Sequence, residues 1–371
     1  MTAKRRLPPF LDWKAVLGLV LSAGLLAFAL RGVDAARVLH EIAQADPLAF
    51  IASIVATTAT FAVRAWRWRP LLRPVRPGLA FRPSFAATTI GFMANNLLPA
   101  RIGEFARAYA LSRMERVPLT ASIGSLVVER LFDGLTILLL LFIAMASPAF
   151  PGMPTAGNAE LEAAATFLTV LFAVVGLLLT AMVLWPARLI AAFERIAARV
   201  LPRGARKRVI GALEAFLAGL GALREPRLLL EVALGSLALW LLGAFSYWLA
   251  LRAFDIHVPF AAALFLQSLI SLAVALPSAP GFFGVYEAGA RIGLVDVWGV
   301  EVNKALGFAI GFHMGGFVPV TLIGLAYVWR LGLSWREVEH SEEVVEEAVE
   351  AATAGPPAQP PAPEAGDDKG S

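Results

Sequence analysis

Three groups of polar residues interrupt the apolar stretches of this chain, and each group has the types needed to hold or exchange charge. The first is Asn95, Asn96, Arg101, Glu104 and Arg107, broken by Pro99 and Gly103. Tandem amides supply donors and acceptors, and arginine presents a planar fork that can hold a phosphate through two hydrogen bonds. Glu104 can pair with these arginines or carry a proton. The second group is Pro280, Gly281, Gly284, Tyr286, Glu287 and Arg291, preceded by Pro277 and Ser278. Two prolines and two glycines between 277 and 284 forbid a regular helix there. Glu287 and Arg291 are four apart, in the order that favours an ion pair on a helix. The third group is Glu129, Arg130 and Asp133, with the two carboxylates sharing a helix face.

Each group also has a plainer account. The first can be an interfacial loop whose arginines meet lipid phosphates, and the second a turn with a local ion pair. The third can be a salt bridge fastening a hairpin to a neighbouring span. His313, beside Gly311, Gly315 and Gly316, can shuttle protons, but a hydrogen-bonded packing role is the preferred reading. No catalytic residue, metal ligand or cofactor is assigned, since no zinc-protease, nucleotide-binding or nucleophile signature occurs. With no cysteine, disulfides and thiolate chemistry are excluded.

The elements that carry these groups must cross a bilayer. The chain of 371 residues is 58% hydrophobic and only 16% charged, with a mean hydropathy of +0.70. A soluble domain carries about 25% charged residues. A spanning helix needs about 20 mostly apolar residues. Six stretches meet or approach this: 13–30, 48–65, 119–147, 163–185, 228–252 and 303–329. The apolar run after Asp133 is only about 20 Å long, so the third of these spans must take its charges into the bilayer. Two shorter segments, 84–98 and 260–277, end in Pro, Gly or Asn. The fold class is therefore all-α and polytopic, with about six full spans and two re-entrant or broken helical hairpins. Residues 260–297 can also be read as two short spans.

Charge gives orientation. Residues 64–83 hold six arginines and no acid, and 186–227 hold nine basic residues against three acidic ones, whereas 148–162 and 253–259 hold no Lys or Arg. Excess Lys and Arg marks the cytoplasmic side. The N- and C-termini, 64–83 and 186–227 are then cytoplasmic, in a bacterial or archaeal plasma membrane, and the first span is retained rather than cleaved after Ala27-Phe28-Ala29. The basic residues flank apolar spans, so membrane orientation explains them and a nucleic-acid partner is not expected. Each half then reads span, span, hairpin, span, with opposite orientation, as in inverted-repeat transporters. In this reading Leu98-Pro99 corresponds to Leu276-Pro277.

Residues 1–335 make the membrane domain, with a basic amphipathic insert at 186–227 lying on the inner surface. Residues 336–371 carry an acidic run with the spacing of a short helix through Val344, Val345 and Val349. The tail as a whole, Pro-rich at its end, is expected to be disordered.

Three motifs in this order carry a resemblance to a known family. They are Asn95-Asn96-Leu97-Leu98-Pro99 with Arg101-Ile102-Gly103-Glu104, then Val128-Glu129-Arg130-Leu131-Phe132-Asp133, then Pro280-Gly281-Phe282-Phe283-Gly284-Val285-Tyr286-Glu287. Together they resemble the transmembrane region of lysylphosphatidylglycerol synthases, over roughly residues 10–330. The resemblance implies a flippase-like integral membrane protein. In bifunctional members this module moves aminoacylated phospholipid beside a soluble aminoacyl-transferase domain. The 41 residues after Arg330 cannot hold that domain, so a stand-alone flippase-like protein is expected and the lipid is left open. The expected partner is a membrane lipid with an anionic or phosphate-bearing headgroup, contacted by the three polar groups above, and a homo-oligomer is compatible with the sequence. A membrane-embedded enzyme of lipid or glycolipid modification, or a regulatory membrane subunit, remains the alternative.

Overall fold

The computed structural model describes residues 13–152, 225–275 and 278–354, and isolated positions between 174 and 195. The span expected at 163–185, most of the amphipathic insert, the Leu276-Pro277 pair and the tail after 354 lie outside the described residues. Everything described is helix, turn or loop. Helix α1 (Trp13–Ala29) is followed by the short α2 (Ala35–Gln44) and the long α3 (Pro47–Leu72). Asp46 starts α3, accepting from the Leu48 and Ala49 backbone N–H groups at 2.8 and 3.0 Å, with Pro47 as the first helical residue. Next come α4 (Phe81–Leu97), α5 (Gly103–Glu115) and α6 (Leu119–Met145), then α7 (Pro226–Ala253), α8 (Phe260–Ala273) and α9 (Val285–Arg291). The last described helices are α10 (Val302–Arg330), α11 (Trp335–Glu339) and α12 (Ser341–Ala354).

Three of these helices, α3, α7 and α10, are long and apolar enough to cross a membrane. Helix α6 has 27 residues, about 40 Å at 1.5 Å each, but it carries Glu129, Arg130 and Asp133 in its middle. Helices α4 and α5 form one antiparallel hairpin, since Gly91 lies against Arg107 and Gly103, and Gly103 against Asn95. A Cβ on Gly103 would collide with the Gly91 carbonyl, so only glycine permits this approach. Helices α8 and α9, the latter continued by the π-helical turn Ile292–Val297, form the second hairpin, with Ile270 and Ala273 against Gly289 and Leu266 against Gly293. The 14 residues of α8 reach only about 21 Å, short of the roughly 30 Å hydrocarbon core. The segment 260–297 therefore folds as a broken hairpin.

The hairpins are rooted at opposite ends of the molecule. One core gathers Trp68 and Leu72 of α3 with Ala87, Leu111, Val128 and Val328, at the arginine-rich end. The other gathers Leu251 and Phe254 with Leu266, Leu294 and Phe308. The tips meet between them. Each tip is a single tight turn, Pro99–Arg101 in one and Pro280–Phe282 in the other. Each holds a non-glycine residue in the left-handed region two places after its proline: Arg101 at φ 57° and Phe282 at φ 62°. Each has a glycine four places after the proline, Gly103 and Gly284. The register of the two halves is thus Pro99 with Pro280, which replaces the pairing of Pro99 with Pro277 read from the sequence.

The acidic segment after Trp335 is helical through residue 354, taking in the short helix read from Val344, Val345 and Val349. Its apolar face has somewhere to go: Val338 and Val345 are buried, Ser341 with them, against α5 and α6.

Candidate functional site

Between the hairpins and the long helices lies a buried cluster of four arginines and two carboxylates. Glu129 and Asp133 stand one turn apart on α6 and are both fully enclosed. Arg107 of α5 grips Glu129 through two bonds, Nη1 to Oε1 at 2.8 Å and Nη2 to Oε2 at 3.0 Å, and its guanidinium lies 3.9 Å from the Trp68 ring centre. Arg64 of α3 donates to Asp133 at 2.7 Å and Glu129 at 3.3 Å. Arg67, one turn on, donates to Asp133 at 2.7 Å and to the Ser236 hydroxyl at 2.6 Å. Arg130 donates to Glu129 at 2.9 Å and lies 3.6 Å from Asp133. Trp240 of α7 adds an indole N–H to Asp133 at 3.0 Å.

This cluster is short of negative charge. Four guanidiniums share two carboxylates, and Arg67 Nε and Nη2 and Arg107 Nε are buried without hydrogen-bond partners. Removing ions from water is costly unless each finds its counter-charge. The two arginines nearest solvent are Arg130, whose side chain is 41% exposed, and Arg64 at 10%. They contact the same two oxygens, Glu129 Oε1 and Asp133 Oδ2, so they are neighbours. Glu104, half-buried, lies within electrostatic reach of Arg130 and Arg101.

The other residues singled out in the sequence hold the hairpins. The Asn95 side-chain oxygen accepts from the Gly103 N–H at 2.8 Å, tying the first hairpin to itself. Asn96 donates to the Thr321 hydroxyl at 2.8 Å, tying that hairpin to α10. Arg101 donates to the Ala275 carbonyl at 2.9 Å and lies over the Phe282 ring, joining tip to tip. Of the two arginines in the first group, Arg107 reaches an α6 carboxylate and Arg101 does not.

The second hairpin has a site of its own. Glu287 Oε1 lies 2.7 Å from His313 Nδ1, while Glu287 Oε2 accepts from the Gly284 N–H at 2.6 Å. His313 Nε2 lies 2.9 Å from the Gly281 carbonyl. Tyr286 stacks on the imidazole at 4.1 Å. The expected Glu287–Arg291 pair is absent. Glu287 turns inward to His313 and the helix start, whereas Arg291 donates to the Ala29 and Arg31 carbonyls at the end of α1, where a helix terminus attracts a cation. The loop carrying Pro280, Gly281 and Gly284 is set by two left-handed glycines, at φ 68° and 85°. No group of three or more metal-ligating side chains occurs among the described residues.

Sequence reasoning missed Arg64 and Arg67, which it took as cytoplasmic charges at and beyond the end of a span closing at 65. Helix α3 continues seven residues further, and these two of its arginines, three apart, face inward. Their spacing on one face, together with a span on α6 that cannot avoid its acids, was the available signal.

Residues 15–324 match the family model described as the lysylphosphatidylglycerol synthase transmembrane region. A glycosyltransferase, AglD of Haloferax volcanii, is 26% identical over 356 residues, which cover 89% of this chain and 56% of that protein. This chain thus spans little more than half the length of that relative. With the family match covering most of the chain, the protein belongs to the lysylphosphatidylglycerol synthase transmembrane-region family.

Proposed function

We propose that this protein moves a lipid with an anionic or phosphate-bearing headgroup between membrane leaflets, as a flippase or scramblase. The observation that carries the reading is the deficit of negative charge in the buried cluster, with Arg64 and Arg130 on its accessible side. A phosphate arriving there would meet guanidiniums that are already dehydrated and only partly neutralised. The tails would stay in the surrounding hydrocarbon. Membership of a family named for lysylphosphatidylglycerol synthases, and a relative named as a glycosyltransferase, both point to work on membrane lipids. Glu129 and Asp133 are saturated by arginine and tryptophan donors, which suits charge balance better than general-base chemistry. The positive-inside rule would put the arginine-rich end, and both termini, in the cytoplasm of a prokaryotic plasma membrane.

The test is leaflet-resolved movement of a fluorescent phospholipid in proteoliposomes. Arg130→Gln removes one charge-assisted contact, worth about 1.5–3 kcal/mol, and should slow movement by about ten-fold or more while the protein stays folded. Equal rates in wild type and protein-free vesicles would end the transport reading. If lipids are instead chemically altered, a membrane-embedded enzyme takes its place.

A further inference from the structure

We propose that Glu287 and His313 form a proton-binding site whose occupancy fastens the tip of the second hairpin. The inference follows from counting protons. The Gly281 carbonyl can only accept, so His313 Nε2, at 2.9 Å, carries a hydrogen. Nδ1 faces a carboxyl oxygen at 2.7 Å, and a contact this short between two lone pairs is repulsive. One further proton therefore lies between Nδ1 and Oε1, whether as an imidazolium beside a carboxylate or as a neutral imidazole beside a carboxylic acid.

Losing that proton to water leaves one hydrogen for two acceptors. If it stays on Nε2, the Glu287 carboxylate faces a bare Nδ1. If it moves to Nδ1, the stronger charge-assisted bond to Glu287 survives and a bare Nε2 faces the Gly281 carbonyl. The second arrangement wins on charge, and it releases Gly281. Gly281 sits in the turn Pro280–Phe282, and the Phe282 ring is the surface that Arg101 of the opposite tip covers at 5.6 Å. The proton thus holds closed the contact between the two hairpin tips.

Among the described residues no other charged side chain bonds to Glu287 or His313. Tyr286 stacks on the ring, and Tyr247 of α7 bonds to Tyr286. Arg291 is turned away to the end of α1. Helix α3 meets α10 here with Phe50, Ile54 and Thr57, and α4 brings the neutral Asn96. Across the tip, Arg101 of the first hairpin covers Phe282, with Glu104 within electrostatic reach of it. That the fastening gates lipid movement rests on the transport reading; the proton site itself does not.

The chain has no cysteine, so Ala279→Cys places a lone thiol beside the tip. Its rate of labelling by a water-soluble maleimide is measured in vesicles from about pH 5 to 9. The reference is the same thiol with Glu287→Gln, whose amide N–H replaces the shared proton permanently and still offers an oxygen to the Gly284 N–H. The ratio of the two rates should rise by about five-fold with pH, the worth of one ordinary hydrogen bond. His313→Phe keeps the stacking and should label fast at every pH. A ratio that stays flat overturns the proposal, as does a pH step that survives in His313→Phe after correction for thiol ionisation. A step in labelling in vesicles that move no lipid supports the proton site and rejects the transport reading.

Discussion

At the scale of single residues, the two carboxylates on α6 differ sharply from the arginines around them in what their loss should cost. Glu129 is touched by Arg64, Arg67, Arg107 and Arg130. Glu129→Gln removes one of only two negative charges and leaves dehydrated guanidiniums unpaired. Such a loss costs about 3–5 kcal/mol, which should appear as a marked fall in the thermal unfolding temperature in detergent. Arg130→Ala removes a partly exposed side chain and relieves the excess of positive charge, so its cost should stay within about 1 kcal/mol. If the two variants melt alike, the cluster is better hydrated than its burial indicates. The sequence showed Glu129, Asp133 and Arg107 because charges stand out in apolar runs. It hid Arg64 and Arg67 because the end of a hydrophobic run was taken as the end of the helix.

At the scale of elements, α11 and α12 form a small appendage tied to α5. Glu337 accepts from the Ser334 backbone N–H at 2.7 Å and pairs with Tyr109 and Arg113. The Ser334 backbone N–H, with its hydroxyl, the Tyr109 hydroxyl and Arg113, holds the Glu337 carboxyl below its ordinary value. A carboxylate depressed in the folded state stabilises it above the unfolded value, about 4.3 for glutamate. That contribution is lost as pH falls through the lower folded value. The appendage should therefore loosen in acid, seen as faster proteolysis after Arg336 below about pH 4, and Glu337→Gln should show the looser pattern already at neutral pH. Composition alone could not reveal this docking. An acidic, alanine-rich run reads as solvated, and the buried positions Val338, Ser341 and Val345 are thinly spread among its charges.

At the scale of the whole molecule, two hairpins enter from opposite ends and close on each other. Much of this was legible. The helical class, the two broken segments and their opposite senses follow from hydropathy, prolines and arginine bias. The register of the halves was not, because Pro277 and Pro280 are both plausible breaks and only backbone geometry at Arg101 and Phe282 tells them apart. If movement between the hairpins and α10 is needed for lipid passage, pinning Asn96 to its partner should stop it. The Asn96 amide and Thr321 hydroxyl lie 2.8 Å apart, so the pair Asn96→Cys with Thr321→Cys can be bridged by a short reducible bis-methanethiosulfonate cross-linker. Lipid movement should then stop and return on reduction. Full activity in the cross-linked state would show that this contact never opens.

The bond from Asn96 to Thr321 also sets a timetable for biogenesis. Its partners are 225 residues apart, and ribosomes add about 5–20 residues per second. The first hairpin must therefore wait roughly 10–45 s in the bilayer, with neither arm long enough to span, before the strut that holds it has been made. During that interval its amide has only lipid, water or an insertion chaperone to turn to. A nascent chain halted before residue 321 is left with a half-built interior that cannot complete itself.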